Sequence, residues 1–172
     1  TLVPMRLRAL RVRRTGRLLS RADRVLTCSG ASARSLMQEY RLPEERIVTI
    51  LNGISDVRIQ GRPAERETMR RSLGAEEGDV LFLWAGRFAS EKDVAGLLSA
   101  LGSAQGDAVR SRLVLAGDGP LRPGLEKRFG DLVLAGRAKF LGWRNDVPGL
   151  LHACDVAVLP SRMESCPLFL LE

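Results

Sequence analysis

From Val80 onward the chain alternates short apolar runs with longer mixed stretches, and this rhythm limits the possible folds more than any other feature. Strands are predicted at Val80–Ala85, Leu113–Ala116, Lys139–Leu141 and Val156–Leu159. Helices are predicted between them at Glu91–Leu101, Leu121–Ala135 and Asp146–Ala153, with another beginning near Pro167. The runs end near Gly, Pro, Ser or Asn and show little polar alternation, as parallel strands buried on both faces do. A β-α-β-α-β-α-β order with right-handed crossovers predicts an α/β fold, a Rossmann-like parallel sheet with helices on both faces. Upstream, strands at Val25–Cys28 and Arg46–Leu51 flank a helix at Ala31–Tyr40. Residues 55–79 break the rhythm: they are polar and charged, with one helix at Ala64–Leu73. They read as a connector between residues 1–54, the tail of one domain, and residues 80–172, most of another.

Composition removes several classes of chemistry. His152 is the only histidine among 172 residues, so zinc sites and Ser-His-Asp or Cys-His triads lack partners within the chain. Cys28, Cys154 and Cys166 are far apart and form no CxxC, which argues against a disulfide framework or zinc knuckle. No apolar run approaches the roughly 18 residues that span a bilayer. The N-terminus has no leader pattern, so a reduced, cytoplasmic protein is expected. Charge is concentrated at one end. Residues 1–24 hold eight Arg and one acid, Asp23, a balance of +7 that equals the net charge of the whole chain. Met5, Leu7, Leu10, Val12, Leu18 and Leu19 interleave with these arginines. A basic amphipathic helix in the 5–24 segment fits an anionic membrane surface, which would make the protein peripheral on the inner face of the membrane. It equally fits the solvated outer helix of a larger domain, and both readings stay open. No recognition module accompanies the charge, so nucleic acid is not an expected partner.

Ligands of such sheets bind beyond the carboxyl ends of the strands, so the loops there are the candidate site. The first runs Gly86-Arg87-Phe88-Ala89-Ser90-Glu91-Lys92-Asp93. Two cations, Arg87 and Lys92, beside a helix start make a diphosphate clamp; the alternative is a surface loop with an incidental lysine. The second, Gly117-Asp118-Gly119-Pro120, lacks the third glycine of GxGxxG and reads as structural punctuation. In the third, Gly142-Trp143-Arg144-Asn145, exposed backbone and Trp143 would flank a flat base, unless Trp143 belongs to the core edge. The fourth delivers Glu164, then Ser165 as an N-cap and Pro167 in the first turn of a helix ending at Glu172. Glu164 and Glu172, eight positions apart, would lie about 80° around such a helix, addressing two groups of one polyhydroxylated ligand.

Five motifs now stand in order: Asn52-Gly53-Ile54; Gly86-Arg87 with Lys92; Gly117–Pro120; Phe140–Gly142; and Pro160-Ser161 with Glu164 and Glu172. This series resembles the C-terminal half of the retaining glycosyltransferases of the GT-B fold, family four, and residues 22–29 look like the last strand of that family's N-terminal domain. The resemblance implies a nucleotide-sugar donor, UDP- or GDP-linked, and a glycan or lipid-linked acceptor. It assigns Arg87 and Lys92 to the donor diphosphate, Glu164 to the donor sugar and Glu172 to the ribose. Ser165, Cys166, Pro167 and Leu168 would hold phosphate and sugar oxygens, and Gly142, Trp143 and Arg144 would lie by the base. The chemistry would be transfer with retention, without a protein nucleophile, cofactor or metal, because cations stabilise the leaving diphosphate. The implied setting is bacterial cell-envelope polysaccharide or lipopolysaccharide assembly. Two departures stand out: Ser165-Cys166-Pro167 replaces a glycine-rich stretch, and Asp93 stands where the family often has glycine. The sequence also reads as incomplete at its C-terminus, a fragment expected to be inactive alone. A noncatalytic nucleotide-binding or membrane-associated interaction module on the same fold is the alternative.

Overall fold

The computed structural model describes residues 5–54, 63–104 and 110–172. The early part of the expected connector, 55–62, lies outside the described residues. The chain divides into two compact units: residues 1–53 with Ser165–Leu168, and residues 54–164 with Phe169–Glu172.

In the first unit, helix α1 (Met5–Leu19) leads to strand β1 (Val25–Thr27), helix α2 (Gly30–Tyr40), a 3-10 turn (Glu44–Arg46) and strand β2 (Ile47–Thr49). β1 and β2 pair in parallel, Val25 opposite Ile47 and Thr27 opposite Thr49. Ser29 starts α2: its backbone is extended and its hydroxyl accepts from Ser32 N at 3.2 Å. Arg41 ends it in the left-handed region, φ 53°. Within α1, Val12, Gly16 and Leu19 are half-buried at i, i+4, i+7 spacing, while Arg13, Arg14 and Arg17 are exposed. Asn52 Nδ2 donates to the Cys166 carbonyl at 2.9 Å, tying the Asn-Gly motif to residues 165–168 within this unit.

The second unit is a four-stranded parallel sheet in the order β5-β4-β3-β6. Its strands are β3 (Asp79–Ala85), β4 (Arg110–Ala116), β5 (Ala138–Gly142) and β6 (Val156–Ala157). Period-two alternation assigns each side chain to a face. Trp84, Leu113, Leu115 and Ala138 join Val94 and Leu98 of α4 (Val94–Ser103) and Leu125 of α5 (Arg122–Arg128) in one core. Leu81, Leu83, Val114 and Ala116 join Leu73 of α3 (Pro63–Leu73) and Leu150 and Ala153 of α7 (Val147–Ala153) in the other. The long helix expected over 121–135 is two short ones, α5 and α6 (Gly130–Leu134), separated at Phe129 with φ −112° and ψ 26°. Gly130 is a poor helix former at that junction, and Phe129 packs against the first core.

Aspartates stitch the sheet at its amino edge. The buried Asp79 side chain pairs with Arg112 at 2.5 Å and Arg110 at 3.3 Å. Asp155 accepts from Leu81 N at 2.8 Å, Arg70 at 2.8 Å and Arg66 at 2.5 Å. Arg70 also donates to the Ala153 and Asp79 carbonyls at 3.0 and 2.8 Å, and Arg66 to those of His152 and Cys154. Cations thus satisfy the orphan carbonyls of the α7 C-terminus, where the helix dipole favours them. All of this chemistry serves the scaffold.

Candidate functional site

At the carboxyl edge the loops after β3, β4 and β5 are drawn together by backbone bonds. Gly86 N donates to Ala116 O at 2.9 Å, Gly117 N to Gly142 O at 2.6 Å and Phe88 N to Asp118 O at 3.0 Å. The approach is so close that a Cβ at Gly117, φ +133°, would lie 1.9 Å from Gly86 O. One at Gly119, φ +155°, would lie 2.7 Å from both Phe88 N and O. The glycines of Gly117–Pro120 are therefore spacers between loops, the punctuation expected of them.

Over this stitched edge opens a cavity of about 470 Å³, within the range of small-molecule sites. Gly86, Arg87, Trp143, Arg144 and Glu172 line it, joined by Asp118, Val147 and Phe169, which sequence reasoning did not select. Trp143 is 73% exposed, which excludes the core-edge reading. Arg144 is held by Asp146, Nε to Oδ1 at 2.7 Å and NH2 to Oδ2 at 2.5 Å, and this guanidinium keeps the Asp146 carboxyl below its usual range. Asp118 Oδ1 accepts from Gly119 N at 2.7 Å. Its other oxygen, Oδ2, accepts from Arg122 NH1 at 3.4 Å, and its place between two glycines that hold the loops apart was the available signal.

The chain runs from β3 through β4 to β5 on one side of β3, then returns to β6 on the other. Outward loops at such a reversal leave a crevice between them. The two loops here carry Lys92 and Glu164, whose Nζ and Oε1 lie 2.5 Å apart. Burial pushes the Glu164 carboxyl up, but the Lys92 ammonium beside it helps to bring it below the usual glutamate range. Arg87 turns instead to Glu91, NH2 to Oε1 at 2.8 Å, with 69% of its side chain exposed.

Two other expectations need correction. Lys92 ends a 3-10 turn (Ser90–Lys92), not the first turn of an α-helix, because Asp93 adopts φ 46° and α4 begins only at Val94. A 3-10 turn (Leu168–Leu170) stands where a helix was expected from Pro167, so Ser165 caps no α-helix among the described residues. A 3-10 turn needs only i to i+3 bonds, so it forms over three residues where an α-helix does not. Glu164 and Glu172 consequently share no helix. Ser165, Cys166, Pro167 and Leu168 belong to the first unit, and Gly142 is not a lining residue of the cavity, its carbonyl accepting from Gly117 N.

Known proteins place this arrangement. A family model described as Glycosyl transferases group 1 matches residues 65–172, more than half of the chain. The chain belongs to this family. A second model, Glycosyltransferase Family 4, matches residues 2–58. Among solved structures similar to this group 1 glycosyltransferase chain is Anabaena HepE in complex with UDP and glucose. It is 26% identical, with a TM-score of 0.77 over 90% of this chain and 42% of that one. Curated relatives include an alpha-D-kanosaminyltransferase of Streptomyces kanamyceticus, 29% identical over 88% of this chain and 40% of its own length. Another is the UDP-Gal:alpha-D-GlcNAc-diphosphoundecaprenol alpha-1,3-galactosyltransferase of Escherichia coli, 30% identical over 79% of this chain and 36% of its own length. The chain thus spans about 40% of the length of the relatives it matches. Its parallel sheet has the architecture of GT-B glycosyltransferases. Among the described residues no three His, Cys, Asp or Glu side chains gather as metal ligands. No described helix is long and apolar enough to cross a membrane.

Proposed function

We propose that this chain carries the donor-binding half of a retaining glycosyltransferase that takes its sugar from a UDP-sugar. The observation that carries the reading is the cavity beyond β3, β4 and β5, which Arg87, Trp143 and Glu172 line together; the Lys92–Glu164 pair is not part of that lining and joins the loops after β3 and β6. Trp143 offers a face for the uracil, and Glu172 a carboxylate acceptor for the ribose hydroxyls. Arg87 and Lys92 bind the diphosphate. Glu164, held ionised by Lys92, accepts a hydrogen bond from a hydroxyl of the donor sugar. In the reaction the bond between the anomeric carbon and the diphosphate oxygen breaks. The acceptor oxygen bonds to that carbon on the same face, and its proton passes to the leaving diphosphate. Negative charge grows on the leaving group, so the two cations stabilise the transition state more than the ground state and take the place of a metal ion.

UDP as the nucleotide is supported by the HepE complex, and a lipid-linked acceptor by the diphosphoundecaprenol-linked sugar in the name of the Escherichia coli relative. Arg13, Arg14, Arg17 and Arg21 lie exposed beside Leu18, 62% exposed, which suits a face of the 5–24 segment turned to an anionic membrane bearing that acceptor. Calorimetric titration with UDP and with GDP in EDTA tests the donor assignment. Saturable binding of UDP that weakens at least tenfold in Arg87→Ala is expected. A folded chain that binds neither nucleotide refutes it.

A further inference from the structure

We propose that Asp93 and Arg162 form a clip that positions Lys92 and Glu164 across the crevice between the β3 and β6 loops, and thereby sets the affinity for the nucleotide diphosphate. This rests on the reading of Lys92 as a diphosphate contact. The hydrogen-bond ladder between β3 and β6 is short, pairing Phe82 with Val156 and Leu83 with Ala157 before the bond from Val158 N to Leu83 O. Beyond it, the loop toward Glu164 is fastened to the Ser90–Asp93 turn by Arg162. Its Nε donates to Asp93 Oδ2 at 3.0 Å, its NH2 to Asp93 Oδ1 at 3.2 Å, and its backbone N to Glu91 O at 2.9 Å. Lys92 adjoins one end of this clip and Glu164 lies two residues past the other.

Three features indicate that the clip serves the site. Asp93 holds a left-handed backbone, φ 46° and ψ 38°, uncommon outside glycine, so the turn that aims Lys92 is a conformation that has to be held. Asp93 stands at the N-cap of α4 with its carboxylate against Gly96, yet both its oxygens also accept from Arg162, so the capping carboxylate is shared with the opposite loop. Arg162 is 71% exposed, and an ion pair so open to water adds little to folding. A paired guanidinium and carboxylate nevertheless fix geometry, and holding Lys92 in place before the diphosphate arrives removes an ordering cost from binding.

The test is a calorimetric cycle with UDP in EDTA on the whole chain. Arg162→Ala is expected to keep the parent's circular dichroism and unfolding midpoint while weakening UDP binding about fivefold. Arg162→Lys, which keeps one ion pair, should recover part of that loss. The deciding measurement is Lys92→Ala/Arg162→Ala, which should bind UDP as weakly as Lys92→Ala alone, because the clip then has no ammonium to position. Independent losses that multiply in the double variant overturn the proposal, as does unchanged binding in Arg162→Ala. If Lys92→Ala itself binds as tightly as the parent, the diphosphate reading beneath it fails instead.

Discussion

Gly117→Ala is the most demanding substitution the site geometry allows. The added Cβ would sit 1.9 Å from Gly86 O, where real Cβ contacts closer than 3.0 Å are essentially never found, so loop and carbonyl must separate by about 1.1 Å. That movement pulls on the bonds from Gly86 N to Ala116 O and from Gly117 N to Gly142 O. Each backbone bond contributes about 1 kcal/mol net. Forcing alanine to φ +133° costs about 1–3 kcal/mol more. The sum, about 3–5 kcal/mol, is a large part of a typical folding free energy. For a chain of this size it lowers the thermal midpoint by roughly 6–20 °C. Urea unfolding followed by circular dichroism measures the loss directly. Gly124→Ala is the control: it lies within α5 with nothing within 4 Å of the new methyl, and should gain about 0.5–1 kcal/mol. If Gly117→Ala unfolds within about 1 kcal/mol of the parent at the same slope, the loops are not stitched as described.

Other substitutions separate scaffold from site. Asp155→Asn should cost about 2 kcal/mol at neutral pH by weakening the bonds to Arg66, Arg70 and Leu81 N. Burial raises the Asp155 carboxyl, but the Leu81 N–H and the two guanidiniums bring it below its ordinary 3.8. Its stabilisation is therefore complete above that value and lost as pH falls through the lower folded-state value, so parent and variant should converge in acid unfolding. Arg70→Met should cost about 2 kcal/mol or more, leaving the Ala153 and Asp79 carbonyls without that donor. Arg87→Ala, which removes an exposed pair with Glu91, should change stability by less than about 0.5 kcal/mol while weakening UDP binding. Chemical denaturation beside calorimetry distinguishes the two arginines.

The sheet was legible because its strands are apolar on both faces. Phe82 and Trp84 serve one core, and Leu81 and Leu83 the other, so the run from Val80 to Ala85 shows no polar alternation. Helix interruptions were less legible. The residues around Phe129 keep a helical apolar spacing, and Gly130 alone, a residue tolerated inside helices, does not announce the break that packing of that ring accompanies. Along the cavity, Gly86, Arg87, Trp143 and Arg144 were legible because they lie in loops that leave strand ends at one edge, whereas Glu172 was selected from a spacing on a helix that the structure does not form. Lys92 and Glu164 were selected singly; their contact is a property of the chain reversal, which no local spacing encodes. Asp118, Val147 and Phe169 were missed because each looks like ordinary turn or core chemistry until the loops are folded over it. The left-handed Asp93 was noticed only as a departure from glycine, and the backbone shows what that departure must accommodate.

The two indole N–H resonances of the chain report on the central claim without labelling any other site. Trp143 stands exposed on the cavity wall, and Trp84 is fully buried in the core beneath the sheet. In a proton–nitrogen correlation spectrum recorded while UDP is added in EDTA, the Trp143 indole should shift saturably and the Trp84 indole should stay nearly still. A folded chain in which neither moves at millimolar UDP, or in which Trp84 alone responds, would contradict a nucleotide site at the carboxyl edge of this sheet.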